Sequence, residues 1–454
     1  MDHNGWDIQR LGTCTFDSPL MPLITAKGCP DFFVNDEERI IFDNRLQVFR
    51  DDCENNAVPI SLEFAGPRRK IFFNPQNVRA AVVTCGGLCP GINDVIRGIV
   101  MTLHYRYGVR DIQGIRYGYQ GFVPEYGHDR VKLTPSLVTN IHKEGGSILS
   151  TSRGYPSTDV ILDFIHANNI GILFVIGGDG TMRSGMVIAE GAAKRAMKFS
   201  VIGIPKTIDN DILYIDQSFG FETAFSEAVK AIRAANIEAL GAPNGIGLVK
   251  LMGRHSGFIA CYAALAMTDV NYVLIPEVPF DLEGPNGFLA VLEERLKHRH
   301  HAVIVVAEGA GQELMTEKSG ENDASGNVKL KDIGLFLKDR MNAYFKKTDT
   351  EVNIKYIDPS YMIRGVPATP QDSIYCLRLA QNAAHAAMTG RTKMVVGKRH
   401  GQYVHIPMEK ISQGRKLVNP ASDLWLSVLE ATGQPMVFAN DSHEAVSVRG
   451  ILTE

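Results

Sequence analysis

ILFVIGGDGT, residues 172–181, changes character at its midpoint. Ile172–Ile176 form an apolar run too short for a helix and dominated by residues that favour a buried strand. Gly177 and Gly178 then open a turn, Asp179 stands among glycines, and Gly180-Thr181 lead into a helical pattern. A strand running into a glycine turn and then a helix is the repeating step of an open α/β sheet. The same step recurs along the chain. AAVVTC (80–85), VIGI (201–204), IGLV (246–249), YVLI (272–275), AVIVVAE (302–308) and MVVG (394–397) are short runs of the same kind. Between them lie helical patterns. Over 221–239, Phe221, Ala224, Phe225, Ala228, Ile232 and Ala235 recur at three-to-four spacing, with Glu222, Glu227, Lys230 and Arg233 available for an opposite face. Ligands of such folds gather at the carboxyl ends of the strands.

Residues 1–79 lack this alternation and carry turn signals at Asp17-Ser18-Pro19 and Gly28-Cys29-Pro30. They read as an N-terminal extension, with a short helix expected over 36–49. The polar segment 312–329 (QELMTEKSGENDASGNVK) reads as a mobile surface loop.

Composition narrows the class. The 454 residues carry 47 basic and 50 acidic side chains, a net charge of −3, which argues against broad nucleic-acid binding. The chain is 45% hydrophobic and 21% charged, neither disordered nor membrane-embedded in character. An N-terminus without a basic-then-apolar layout and the lack of an 18-residue apolar run point to the cytoplasm. Seven cysteines, an odd number, form no disulfide framework and fit a reducing compartment. Glycine stands out: 43 residues, roughly 9–10% against an ordinary ~7%.

Much of that glycine falls just after strands. CGGLCPGIN (85–93) follows AAVVTC and opens a helix from about Asp94. Such a turn offers backbone N–H groups and a positive dipole end to an anion, although a purely structural turn reads equally well. Cys85 and Cys89 lack a companion pair and make no metal site. In GGDGT an acidic side chain lies among the glycines. A carboxylate beside a phosphate cradle makes sense when Mg²⁺ lies between them, and Asp179 can at the same time open the next helix. PKTIDND (205–211) follows VIGI and sets Lys206 and Thr207 before Asp209 and Asp211. Beside a phosphoryl donor, one carboxylate accepts the proton of an attacking hydroxyl and the lysine neutralises transferring oxygens. KLMGRHSG (250–257) follows IGLV and puts Arg254 at a strand end, where it suits anionic oxygens. His255 beside it reads as a polar neighbour. Glu308 ends another strand and is placed to accept sugar hydroxyls. YIDPSYMIRG (356–365) joins a turn to Arg364, again suited to a phosphate. HRHH (298–301) reads as a solvated helix end.

Taken together, CGGLCPGIN, SRG (152–154), GGDGT, PKTIDNDI, MGR, AEG and YIDPSYMIRG closely resemble the phosphofructokinases, in that family's order and over roughly residues 80–400. GGDGT alone is shared with other small-molecule kinases, whereas PKTIDNDI followed by MGR is highly specific. The extension and the lysine before TIDND resemble the branch holding plant and trypanosomatid ATP-using enzymes. The resemblance implies an α/β fold of two Rossmann-like three-layer domains with mostly parallel sheets and the active site in the inter-domain cleft. Its expected divisions are 1–79 (extension), 80–220 plus about 372–412 (nucleotide), 221–371 (sugar phosphate) and 413–454 (C-terminal segment).

The implied activity is Mg²⁺-dependent transfer of the γ-phosphoryl group of ATP to the 1-hydroxyl of fructose 6-phosphate. By resemblance, Gly87, Arg153, Gly154, Gly178, Asp179, Gly180 and Thr181 form the donor site, with Asp179 on Mg²⁺. Asp209 is the general base. Arg254, Arg153 and Lys206 stabilise the transferring group, with Thr207 beside them. Thr207, Ile208, Asp209, Met252, Gly253, Arg254, Glu308, Lys355, Tyr361, Met362, Ile363 and Arg364 line the acceptor site, and Asp211 supports the loop.

Donor choice rests on two positions. Relatives that use pyrophosphate carry Asp where this chain has Gly180, and Lys where it has Lys206. An Asp at 180 would crowd and repel the α-phosphate of ATP, so Gly180 favours ATP, with a pyrophosphate-dependent enzyme as the alternative. The chain departs from the short bacterial pattern at Tyr361, which is His there. Gly245 and Lys355 stand for two arginines that reach in from a neighbouring subunit; Gly245 cannot hold a phosphate, so effector behaviour and subunit arrangement do not carry over. A homo-oligomer, a tetramer before a dimer, is implied by resemblance alone. An oxidoreductase would need GxGxxG with a distant acid, which this chain lacks. A silent sensor would have lost Asp179 or Asp209, and both are present.

Overall fold

A computed structural model describes residues 5–21, 31–55, 57–152, 154–315 and 330–440. Arg153 and most of the expected surface loop, residues 316–329, lie outside the described residues. The chain forms two compact units. The first draws on Met1–Thr207, Ile212–Gly220 and Gly365–Arg415, and the second on Ile208–Asp211, Phe221–Arg364 and Lys416–Glu454.

In the first unit, the runs expected to be strands are β1 (Arg79–Thr84), β2 (Ile170–Gly177) and β3 (Ser200–Pro205). They lie side by side and parallel, with Thr84 level with Ile176 and Gly177 level with Pro205. Asp111–Ile115 and Met394–Arg399 extend this parallel core on its two sides. Four further strands add antiparallel flanks, so the sheet counts nine strands among the described residues. Ala80–Thr84, Ile172–Gly177 and all of β3 are buried, as near-continuous Val/Ile runs should be when helices cover both faces. Two of those helices start directly after strands: α1 (Ile92–Met101) follows the β1 loop and α2 (Asp179–Lys194) follows β2.

The first 79 residues differ from expectation. No helix covers 36–49: Arg39–Ile41 is a strand and Leu46–Glu54 a helix. Local periodicity over DEERIIF fits either state. Pairing of Arg39, Ile40 and Ile41 with Glu63, Leu62 and Ser61 decides for the strand, and Asp43 closes the turn by accepting the Arg45 N–H at 3.0 Å. Ser61–Phe64 is inserted beside Gln402–Pro407, which makes the segment part of the sheet. Its Glu63 is buried and bound by His405 (2.7 Å), Arg391 (2.5 Å) and Arg10 (3.1 Å), while Asp36 holds Arg10, Arg68 and Arg391.

In the second unit, α3 (Phe221–Leu240) carries the expected pattern, burying Phe221, Ala224, Ala228, Ile232 and Ala235. The strands β4 (Gly245–Leu251), β5 (His301–Ala307) and β6 (Asn353–Ile357), with Tyr272–Leu274, form a four-stranded parallel sheet. Leu251 is level with Ala307, so β4 and β5 end together, while β6 stops at Ile357, opposite Val249. Helix α4 (Ile333–Lys347) packs on this unit, and Phe438 joins its core. The HRHH stretch begins at the end of helix Phe288–Arg299, where His298 contacts Glu294 at 3.0 Å. No helix among the described residues is long and apolar enough to cross a membrane.

Candidate active site

Level strand ends put three loops of the first unit side by side: the one after β1 with Gly86-Gly87, the one after β2 with Gly178–Thr181, and Lys206-Thr207 after β3. Lys206 ties them together. Its backbone N–H donates to the Gly177 carbonyl at 2.8 Å, and its buried ammonium donates to the Gly87 carbonyl at 2.6 Å. Thr207 is held through its carbonyl by the Ser218 hydroxyl at 2.7 Å. Thr181 is buried, its carbonyl accepting from the Tyr119 hydroxyl at 3.0 Å. Burial pushes the nearby Cys85 thiol up to about 12, which makes it a packing group and no nucleophile.

The glycines of GGDGT have different reasons to be glycine. A Cβ on Gly177 would stand 2.5 Å from the Thr181 side chain, so close packing demands glycine there. A Cβ on Gly178 would make an ordinary 3.5 Å contact with the Lys206 carbonyl. A Cβ on Gly180 would meet nothing within 4 Å, and its backbone is ordinary helix. Gly154 likewise faces open space, but at φ +91° a side chain would be strained. Asp179 is the first residue of α2, its carboxylate paired with Arg183 one turn on.

In the second unit, the Ile208–Asp211 segment is pinned beside the loop after β4. The Ser256 hydroxyl donates to the Asp209 carbonyl at 3.0 Å, and Lys416 reaches the Asn210 side-chain oxygen at 3.1 Å while its N–H donates to Asp211 at 2.9 Å. Asn210 takes a left-handed conformation (φ +55°) to make this bend. Gly253 (φ +131°) lets Met252-Gly253-Arg254 fold back, and a Cβ there would lie 2.5 Å from the Ser256 carbonyl. Glu308, directly after β5, donates its N–H to Leu251 at 2.9 Å. Burial raises the Glu308 carboxyl above the usual range, opposed by the nearby charges of Arg254, Lys250 and Arg364. Tyr361 and Met362 are 79% and 72% exposed, and the Arg364 guanidinium lies 4.9 Å from the Tyr361 ring centroid.

Some expected acceptor residues are set back. Ile208 and Ile363 are buried, so their side chains offer almost no surface to a ligand. Lys355 pairs with Gly247, four residues before the end of β4, below the loops. Several supporting groups escaped the sequence reading. Glu277 accepts from Gly257 N–H at 3.0 Å and Val418 N–H at 2.8 Å, holding the loop after β4; Lys416 and the Lys250–Asp332 pair are others. No local pattern marks them, because their partners are distant in sequence.

A model of the phosphofructokinase family matches residues 79–387, which span every strand end just described. The chain belongs to the phosphofructokinase family. The family's relatives include an ATP-dependent 6-phosphofructokinase of Borreliella burgdorferi, 48% identical over 440 residues, covering 95% of this chain and 97% of that protein. Another, of the same name, from Amycolatopsis methanolica is 45% identical, covering 95% of each. ATP-dependent 6-phosphofructokinase 7 of Arabidopsis thaliana is 46% identical over 93% of this chain and 85% of its own length. Among solved structures, a pyrophosphate-dependent phosphofructokinase from Nitrosospira multiformis matches with a TM-score of 0.65 at 18% identity, over 81% of this chain and 94% of that one. Phosphofructokinase from Saccharomyces cerevisiae matches with a TM-score of 0.59 at 22% identity, over 78% and 48%. At such identity, the likeness to these phosphofructokinases concerns the fold alone.

Proposed function

We propose that the chain is an ATP-dependent 6-phosphofructokinase, a kinase of glycolysis that transfers the γ-phosphoryl group of ATP to the 1-hydroxyl of fructose 6-phosphate, giving fructose 1,6-bisphosphate and ADP. The observation that carries the donor assignment is Gly180. Neither packing nor backbone conformation requires glycine there, so the missing side chain is best explained by what must fit beside it. Lys206, the one signal toward pyrophosphate, has a duty independent of donor, since it bonds the Gly87 carbonyl and joins two loops.

On this reading Gly87, Arg153, Gly154, Gly178, Gly180 and Thr181 cradle the nucleotide phosphates with backbone N–H groups and the N-terminal end of α2. Asp209 takes the proton of the 1-hydroxyl as its oxygen attacks the γ-phosphorus, and ADP leaves. Lys206, Arg153 and Arg254 stabilise the charge spread over the transferring oxygens. Thr207, Met252, Gly253, Glu308, Tyr361, Met362 and Arg364 hold the sugar phosphate, Lys355 adds positive charge behind them, and Ile208 and Ile363 contribute backbone. Asp211 anchors the turn.

The donor set suits magnesium. Among the described residues no cluster of three or more His, Cys, Asp or Glu forms a cage, and Mg²⁺ prefers one or two carboxylates with phosphate oxygens and water. Asp179 would hold such an ion, which when bound neutralises charge shared between phosphates. The same reading includes assembly as a homo-oligomer in the cytoplasm, which light scattering and fractionation test. The deciding experiment assays fructose 6-phosphate with Mg²⁺ and either ATP or pyrophosphate in parallel. Turnover with pyrophosphate and none with ATP would reject the assignment.

A further inference from the structure

Strand β4 reads GIGLVKL and is buried along its whole length, yet its sixth residue is a lysine. Burying an ammonium is costly unless it is paired, and a Met or Ile of similar volume would fill such a site more cheaply. Lys250 is paired twice. Its Nζ lies 2.7 Å from Asp332 Oδ2 and 2.8 Å from Asp358 Oδ2, with its side chain only 11% exposed. Both carboxylates come from other elements and have further duties. Asp332 caps α4, accepting the Leu335 N–H at 3.0 Å, and also accepts the Tyr356 hydroxyl at 3.0 Å. Asp358 follows β6 and accepts the Ser360 N–H at 3.1 Å and the Ser360 hydroxyl, closing the turn that opens the 358–364 loop.

We propose that Lys250 is a positioning residue for the sugar-phosphate acceptor: it ties the start of the Asp358–Arg364 loop to β4 and α4, so that Tyr361, Met362 and Arg364 are presented in one fixed place beside Glu308. This rests on the functional reading above. The geometry supports it in three ways. Lys250 lies one residue before the end of β4, which is flanked by β5 and β6, and Glu308 and Asp358 are the first residues beyond those two strands. The loop beyond Asp358 exposes a tyrosine and a methionine to solvent, an arrangement that needs an external restraint to stay ordered. The charge of Lys250 also reaches Glu308, whose other charged neighbours are Arg254, Arg364 and Asp358. Burial works against the Lys250 charge, but the hydrogen bonds it donates to Asp332 and Asp358 hold its pKa above the usual lysine range, so the clamp stays charged at neutral pH.

The test separates acceptor from donor. Lys250→Met removes the clamp, and the KM for fructose 6-phosphate should rise roughly 10- to 100-fold, the scale of a misplaced binding loop, with the KM for ATP within about twofold. Lys250→Arg should recover part of that loss. Asp358→Asn keeps an oxygen for the Ser360 N–H but weakens the ion pair, and should raise the same KM by a smaller factor even where Lys250→Met does not fold. Equilibrium binding of fructose 6-phosphate without ATP should weaken in parallel. Equal losses in both KM values and kcat, or an unchanged acceptor KM in Lys250→Met and Asp358→Asn, would overturn the clamp. A wild-type chain that neither binds nor phosphorylates fructose 6-phosphate would instead sink the functional reading, and the clamp with it.

Discussion

Replacing Gly180 with Asp separates what the fold needs from what the donor needs. The residue is the second of α2, its Cβ direction is open, and its backbone is ordinary helix. A carboxylate in a first helical turn stabilises by about 0.3–1 kcal/mol through the helix dipole, and removing a helical glycine adds a few tenths more. The fold of Gly180→Asp should therefore be as stable as wild type or slightly more so. Catalysis should suffer. A new unit charge about 5 Å from a phosphate oxygen, at an effective dielectric near 20, repels by about 3 kcal/mol. That corresponds to roughly a 100-fold fall in kcat/KM for ATP, before any steric conflict with the nucleoside. Steady-state kinetics at varied ATP, read beside a thermal melt, test both halves. Unchanged ATP kinetics would refute the argument from open space, and a strongly destabilised variant would show that packing demands the glycine after all. Gly177→Ala is the contrasting control: its methyl would overlap Thr181 at 2.5 Å and should cost about 1–3 kcal/mol of stability.

Asp209→Asn should lower kcat by roughly 10²–10⁴ while leaving the KM for either substrate nearly unchanged, and a kcat near wild type would remove Asp209 as base. Because burial raises the Glu308 carboxyl, its ionised form is lost at a higher pH than for an ordinary glutamate. Affinity for fructose 6-phosphate should weaken as pH falls through that raised value, and Glu308→Gln should flatten the acid limb of a KM–pH profile. In the first unit, burial alone would raise the Glu63 carboxyl, but hydrogen bonds from His405 and Arg391 hold it below the usual range. Glu63→Gln leaves Arg391 and Arg68 buried without that charge and should cost about 3–5 kcal/mol in urea unfolding; an unshifted midpoint would contradict it. Burial holds His405 down to about 4, so the unfolded chain takes up its proton first. The stability from neutral His405 is complete above about pH 6.5 and is lost as pH falls toward 4, which melts between pH 7 and 5 should reveal.

The strand–turn–helix steps were legible because their causes are local. A run such as Ile172–Ile176 can bury both faces only in a covered sheet, and the glycines beyond it mark where the chain turns back. GGDGT, PKTIDND and MGR were legible for the same reason: each of these loops is contiguous and follows its strand at once. The 36–49 segment misled because its local pattern fits helix and strand alike, and the choice fell to a partner strand, Ser61–Phe64, that no window around residue 40 contains.

From its sequence alone this chain declares an alternating α/β architecture, the glycine-rich loops that follow its strands and the residue types of a phosphoryl transferase. Short-range sterics and periodicity settle those matters within a few residues. Only the tertiary structure separates Gly177, which packing requires, from Gly180, which it does not. Only there, too, do Lys250 and Asp332 meet across 82 residues and Arg391 and Glu63 across 328. Buried charges must find partners wherever the fold brings them, and folding, not sequence spacing, decides which carboxylate each cation meets.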